Sequence, residues 1–102
     1  MAQSNIAIDR DVIAEFCRKH RISWLALFGS VLRDDFGPDS DVDVLVQFEP
    51  GVRIGLIGLA GLEIELSELL GVKADIRMPE DLSHYFRDRV VSGAEVHYDR
   101  AA

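Results

Sequence analysis

The sequence predicts an α/β (α+β) fold, a small mixed sheet of three to four strands packed with helices in the order α-β-α-β-α-β-α. Three observations point there. The run Ile22 to Phe28 (ISWLALF) is apolar on both alternating faces, as in a buried central strand. Asp41 to Phe48 and Val72 to Met78 alternate with period two, each with one fully apolar side. Between these two lies a leucine stripe of helical period, Leu59, Leu62, Leu66, Leu69 and Leu70.

The elements follow in chain order. Asp9 is placed to cap a first helix of about a dozen residues, with Val12, Ile13, Phe16 and Cys17 on its core face. The first strand ends at Gly29, and a short helical turn is expected from Ser30. Gly37-Pro38-Asp39-Ser40 is turn chemistry, after which Val42, Val44, Val46 and Phe48 form one face of the second strand and Asp41, Asp43, Leu45 and Gln47 the other. Pro50-Gly51 breaks that strand, and the leucine helix then runs to Gly71 with Glu63, Glu65 and Glu68 mainly outside its stripe. The third strand sets Lys73, Asp75 and Arg77 opposite Val72, Ala74, Ile76 and Met78. Pro79 suits the first position of a last helix carried on by Leu82, Phe86 and Val90, and Val96 to Tyr98 fits a short edge strand. A helix of about fifteen residues between strands two and three suits a right-handed crossover, making them parallel, while the first pair is expected to be antiparallel.

Composition narrows the classes. With 102 residues, 48% of them hydrophobic, the chain can bury roughly two-thirds of its unfolded surface around one core, so residues 1–102 are expected to form a single domain. Cys17 is the sole cysteine, which excludes an intramolecular disulfide and a thiolate metal cluster and fits a cytoplasmic setting. No leader pattern opens the sequence, and the longest apolar run, Ile54 to Leu62, falls well short of the ~18 residues of a membrane span. A soluble protein with no membrane partner is expected. Eighteen acidic against eleven basic residues give a net charge of −7, so direct nucleic-acid binding is not expected.

The chemistry concentrates on the acidic strands. Side chains two apart on a strand point the same way, so Asp41 and Asp43 stand side by side, with Cα atoms about 6–7 Å apart. Such a pair resists full ionisation unless a cation lies between, and its hard oxygen ligands favour Mg²⁺ or Mn²⁺. Asp75, opposite an apolar face on the next strand, is expected to join them. Taken singly, each feature also reads as an ordinary solvated strand. Upstream, Gly29-Ser30 lies where a strand meets a helical turn, a place whose unpaired N–H groups bind phosphate, and Arg33 follows on the same helical face.

Two other patterns fail on inspection. Asp39-x-Asp41-x-Asp43 begins like a calcium loop, but its sixth and twelfth positions are Val44 and Pro50 instead of Gly and Glu. Gly55, Gly58 and Gly61 lack dinucleotide-binding spacing and are read as permitting close helix packing. His20, His84 and His97 have no carboxylate or cysteine at ligand spacing and are read as surface or packing residues, and Trp24, Phe28 and Phe48 as core. Tyr85 and Tyr98 are read as ordinary tyrosines, and Arg87 and Arg89 as solvated or available to a partner.

As a whole, GSVLRDDFGPDSDVDVLV resembles the signature of the DNA polymerase beta type nucleotidyltransferase superfamily. With the Asp75 strand the resemblance covers about residues 10 to 98, and the small size is similar to the minimal nucleotidyltransferase (MNT) domains of MntA-like antitoxins. The resemblance implies a nucleotidyltransferase fold in which Gly29, Ser30, Arg33 and Ser40 bind the nucleotide. It further implies that Asp41, Asp43 and Asp75 are catalytic and ligate two Mg²⁺ ions, with ATP as co-substrate and Asp75 helping to deprotonate the acceptor hydroxyl. The partner it implies is a HEPN-domain toxin, a helical ribonuclease silenced by transfer of AMP to a tyrosine. An acidic surface suits a partner with a basic face. Two alternatives stand beside this reading: a non-catalytic module that covers the toxin's active site, and a small-molecule nucleotidyltransferase, for which so short a chain leaves little second pocket.

Overall fold

The computed structural model describes residues 8–29, 41–85 and 87–100. Helix α1 spans Arg10–Lys19, and the carboxylate of Asp9 caps it by accepting from the N–H groups of Asp11 and Val12. Strand β1 spans Ile22–Phe28, β2 Val42–Phe48, helix α2 Leu56–Leu70 and strand β3 Ala74–Arg77. Helix α3 (Arg87–Gly93) and strand β4 (Glu95–Asp99) close the order. The sheet runs β3-β2-β1-β4, with β1 antiparallel to both its neighbours and β2 parallel to β3 across the α2 crossover. The short helix expected from Ser30 lies outside the described residues.

A bulge explains how ISWLALF can be apolar throughout. Ile22 pairs with Phe48 but Trp24 with Gln47, so one extra residue enters β1 and reverses the facing of everything after it. Ile22, Leu25 and Leu27 thereby share a side with Val42, Val44 and Val46, and α1 and α2 cover that side with Ile13, Phe16, Cys17, Leu62 and Leu66. Trp24, Ala26 and Phe28 turn to the opposite face, paired with Gln47, Leu45 and Asp43. The three aromatic residues read as core, Trp24, Phe28 and Phe48, are each only half-buried.

The last helix departs from expectation. Pro79–Asp81 forms a single 3₁₀ turn, Leu82 returns to extended backbone, and helix starts afresh at Arg87. Local polar groups make the break: Asp81 accepts from the Met78 N–H, Ser83 Oγ accepts from the Tyr85 N–H, and the Ser83 carbonyl accepts from the Arg87 N–H. Arg87 braces the gap by donating to the carbonyls of Glu80 and Leu82. Phe86 lies outside the described residues, and Val90 is half-buried. The leucine stripe of α2 is also narrower than expected: Leu62 and Leu66 are buried, Leu59 and Leu70 pack against the core, and Leu69 is 44% exposed. Among the described residues no helix is long and apolar enough to cross a membrane.

Candidate nucleotidyl-transfer site

Strand pairing brings the acidic residues together. Asp43 and Asp75 are register partners on parallel neighbours, which places their Cα atoms about 4.8 Å apart with both side chains on the face away from α1 and α2. Phe28 is the register partner of Asp43 on the other side, so the turn after β1 arrives beside the same carboxylate. Asp41 immediately precedes β2, where the Val42 N–H donates to the Lys73 carbonyl at 2.8 Å.

Gly29 is the third part of the arrangement. Its φ of +77° lies in the left-handed region, and a Cβ placed there would overlap Asp43 Oδ2 and approach its Cγ to 3.2 Å. Glycine is thus required twice, for the backbone conformation and for the space beside the carboxylate. Ser30, Arg33 and Ser40, the other residues expected to hold nucleotide, lie outside the described residues.

The acidic groups have cationic neighbours. Asp75 Oδ2 accepts from Arg77 at 3.1 Å, and Lys73 Nζ stands 3.9 Å from Asp41 Oδ2. By donor type the three aspartates suit a hard divalent cation. As they stand, no three His, Cys, Asp or Glu side chains among the described residues are grouped closely enough to hold one ion together.

Helix α2 fixes the strand that carries Asp75. Edge strand β3 would leave its outward N–H groups unpaired, and two side chains one helical turn apart take them: Ser67 Oγ accepts from the Ala74 N–H at 2.8 Å and Glu63 Oε2 from the Ile76 N–H at 2.7 Å. These two bonds flank Asp75. Sequence reasoning read Glu63 as an outer-face charge and passed over Ser67, although their i, i+4 spacing on the helix before β3 was a usable signal. Between α2 and β3 runs a groove of about 530 Å³ lined by Asp41, Ala60, Glu63, Ile64, Ser67, Glu68, Lys73, Ala74 and Asp75.

The remaining groups sort differently. His20 Nε2 lies 3.1 Å from Glu65 and His97 Nε2 2.6 Å from Glu95, so both meet a carboxylate, the second at the i, i+2 spacing of a strand. Burial pulls the Glu65 carboxyl upward, but hydrogen bonds from His20 and Lys19 outweigh it and leave the group below its ordinary value. Burial pushes the Cys17 thiol up to about 12, against a smaller opposing effect of Arg18. Gly55 and Gly61 have nothing within 4 Å of where a Cβ would sit, and only Gly58 is crowded, by Ile54, so close helix packing does not account for all three glycines.

Known proteins resemble this chain in sequence and in fold. The family model of the nucleotidyltransferase domain matches residues 10–97. A candidate protein adenylyltransferase of Methanocaldococcus jannaschii is 33% identical over 76 residues, covering 74% of this chain and 80% of that protein. The solved structure of a candidate minimal nucleotidyltransferase is 36% identical and superposes with a TM-score of 0.68 over 83% of this chain and 85% of its own. A toxin-antitoxin crystal structure with AMP-PNP, 19% identical, shares the fold at a TM-score of 0.71 over 90% of this chain and 74% of its own. Acidic strands in register, a glycine turn against one of them, and these likenesses together place the chain in the nucleotidyltransferase domain family.

Proposed function

We propose that this chain, as a single minimal domain, transfers AMP from ATP to a hydroxyl, foremost a tyrosine, of a HEPN-domain toxin and so acts as the antitoxin of the pair. The observation that carries the reading is the register of Asp43 with Asp75 beside Gly29. The adenylyltransferase and toxin-antitoxin names of similar proteins support the acceptor class.

In this reading the turn at Gly29, with Ser30, Arg33 and Ser40, holds the triphosphate through backbone N–H groups and a guanidinium. Asp41, Asp43 and Asp75 hold two divalent ions, Mg²⁺ by preference, which when bound neutralise charge on the transferring phosphoryl group and the departing pyrophosphate. Asp75 also accepts the proton of the attacking hydroxyl as the new P–O bond forms at the α-phosphorus and the bond to pyrophosphate breaks. Glu63 and Ser67 keep Asp75 aligned by holding the backbone on either side of it.

The test is incubation of the chain with α-labelled ATP, Mg²⁺ and a HEPN-domain partner protein. Label should pass to the toxin, and Asp43→Asn and Asp75→Asn should each abolish it; labelling that survives both ends the mechanism. The ion pairs Asp75 with Arg77 and Asp41 with Lys73 favour a second reading, in which the carboxylates serve charge pairing and the chain neutralises by binding alone. That reading requires Asp43→Asn to neutralise the toxin in stoichiometric titration as well as the unaltered chain does.

A further inference from the structure

Helix α2 carries more apolar surface than the sheet covers. Leu62 and Leu66 are buried beneath it, whereas Leu56, Ile57 and Ile64 are 86%, 91% and 63% exposed. At 3.6 residues per turn, Leu56, Ala60 and Ile64 form one ridge with Ile57 beside it, on the side of the helix turned away from Leu62 and Leu66. Singly exposed apolar residues are ordinary, but a contiguous ridge on one helix marks an interaction surface. The ridge also leads somewhere: Ala60 and Ile64 line the groove that reaches Asp41 and Asp75.

Charge selects the occupant. The groove carries Asp41, Glu63, Glu68 and Asp75 against the single cation Lys73, on a chain of net charge −7. A second copy meeting this surface about a two-fold axis would set the same carboxylates against one another. A helix whose apolar face is bordered by Lys and Arg fits both the ridge and the groove.

We propose that the exposed face of α2 is the docking surface for the acceptor protein, which lays an apolar helix bordered by basic residues on Leu56, Ile57 and Ile64, beside the groove that runs to the β3 edge. This rests on the reading above that the acceptor is a protein. It adds where that protein binds and by what chemistry.

The experiment measures binding of the HEPN-domain partner by titration calorimetry, and AMP transfer in parallel, for the unaltered chain, Ile57→Asp/Ile64→Asp and Glu68→Lys. The double variant should bind at least about tenfold more weakly, with KM for the acceptor raised and kcat little changed. Glu68→Lys should weaken binding at low salt and less so at high salt. Equal binding by a double variant of unchanged melting temperature overturns the proposal. Should that variant not fold, hydroxyl-radical footprinting of the unaltered complex decides: Leu56, Ile57 and Ile64 should be shielded, and unchanged oxidation overturns the proposal. A chain that dimerises alone, and loses the dimer on Ile57→Asp/Ile64→Asp, makes a second copy the occupant and also overturns it. The two readings separate cleanly: transfer with α2 variants that bind normally removes only the docking surface, while weakened α2 variants with no transfer by the unaltered chain remove only the catalysis.

Discussion

Gly29 lies so close to Asp43 that any Cβ at this position would overlap the carboxylate carried on β2. The contact joins the proposed phosphate-binding turn to the proposed metal-binding strand through the absence of a single carbon. Gly29→Ala should therefore cost both φ strain and displacement of Asp43. We expect roughly 1–3 kcal/mol of stability to be lost and nucleotidyl transfer to fall about a hundredfold. Thermal melts beside the labelled-ATP assay check this, and full activity in Gly29→Ala would remove the turn from the site.

Ser67 and Glu63 should act on the site through the backbone of β3. Ser67→Ala leaves the Ala74 N–H without its acceptor, at a cost of about 1 kcal/mol, and should lower kcat for AMP transfer while KM for ATP stays near its value. Glu63→Gln keeps an oxygen for the Ile76 N–H and should be mild, whereas Glu63→Met should behave like Ser67→Ala. Equal kinetics for Gln and Met at position 63 would separate β3 alignment from activity.

Chelation tests the role of the three aspartates. EDTA should abolish transfer, and added Mg²⁺ should restore it with a saturable dose response. Arg77 occupies an oxygen of Asp75, so Arg77→Met, which keeps bulk and removes charge, should lower the Mg²⁺ concentration at half-maximal rate severalfold, roughly the effect of one exposed ion pair. An unchanged Mg²⁺ dependence would dissociate Asp75 from the ions.

The Cys17 thiol should be inert in the folded protein. Its folded pKa of about 12 lies above the unfolded value near 9, so the contribution of the protonated thiol to stability is complete below about pH 8.5 and is lost as pH rises toward the folded value. A thiol reagent at pH 8 should label Cys17 only in denaturant. Cys17→Ala should flatten the alkaline fall in melting temperature.

Glu65 gives the opposite sign. Its carboxyl is held below the ordinary value in the folded state, so its stabilisation is present above the unfolded pKa of about 4.3 and disappears as pH falls through the folded one. The gap in melting temperature between the unaltered chain and Glu65→Gln should be open at pH 6 and close toward pH 3. A gap that persists at pH 3 would mean that the pair with Lys19 and His20 contributes nothing through charge.

Much of this molecule is legible from residue order, because strand and helix periods are local properties. The alternation through Asp41 to Phe48 and Val72 to Met78, the leucine period of α2, the Asp9 cap and the stop at Gly71 all follow from side chains within a few positions of one another. The expectation that Asp75 joins Asp43 needed only a crossover helix of suitable length, and the parallel register of β2 and β3 meets it.

Only the tertiary structure decided the rest, since it depends on which distant groups compete for the same hydrogen bond or the same space. The bulge at Ile22/Trp24 appears only when β1 is paired with β2. Which leucines of the α2 stripe become core follows from where Leu62 and Leu66 meet the sheet, since Leu69 of the same stripe stays 44% exposed.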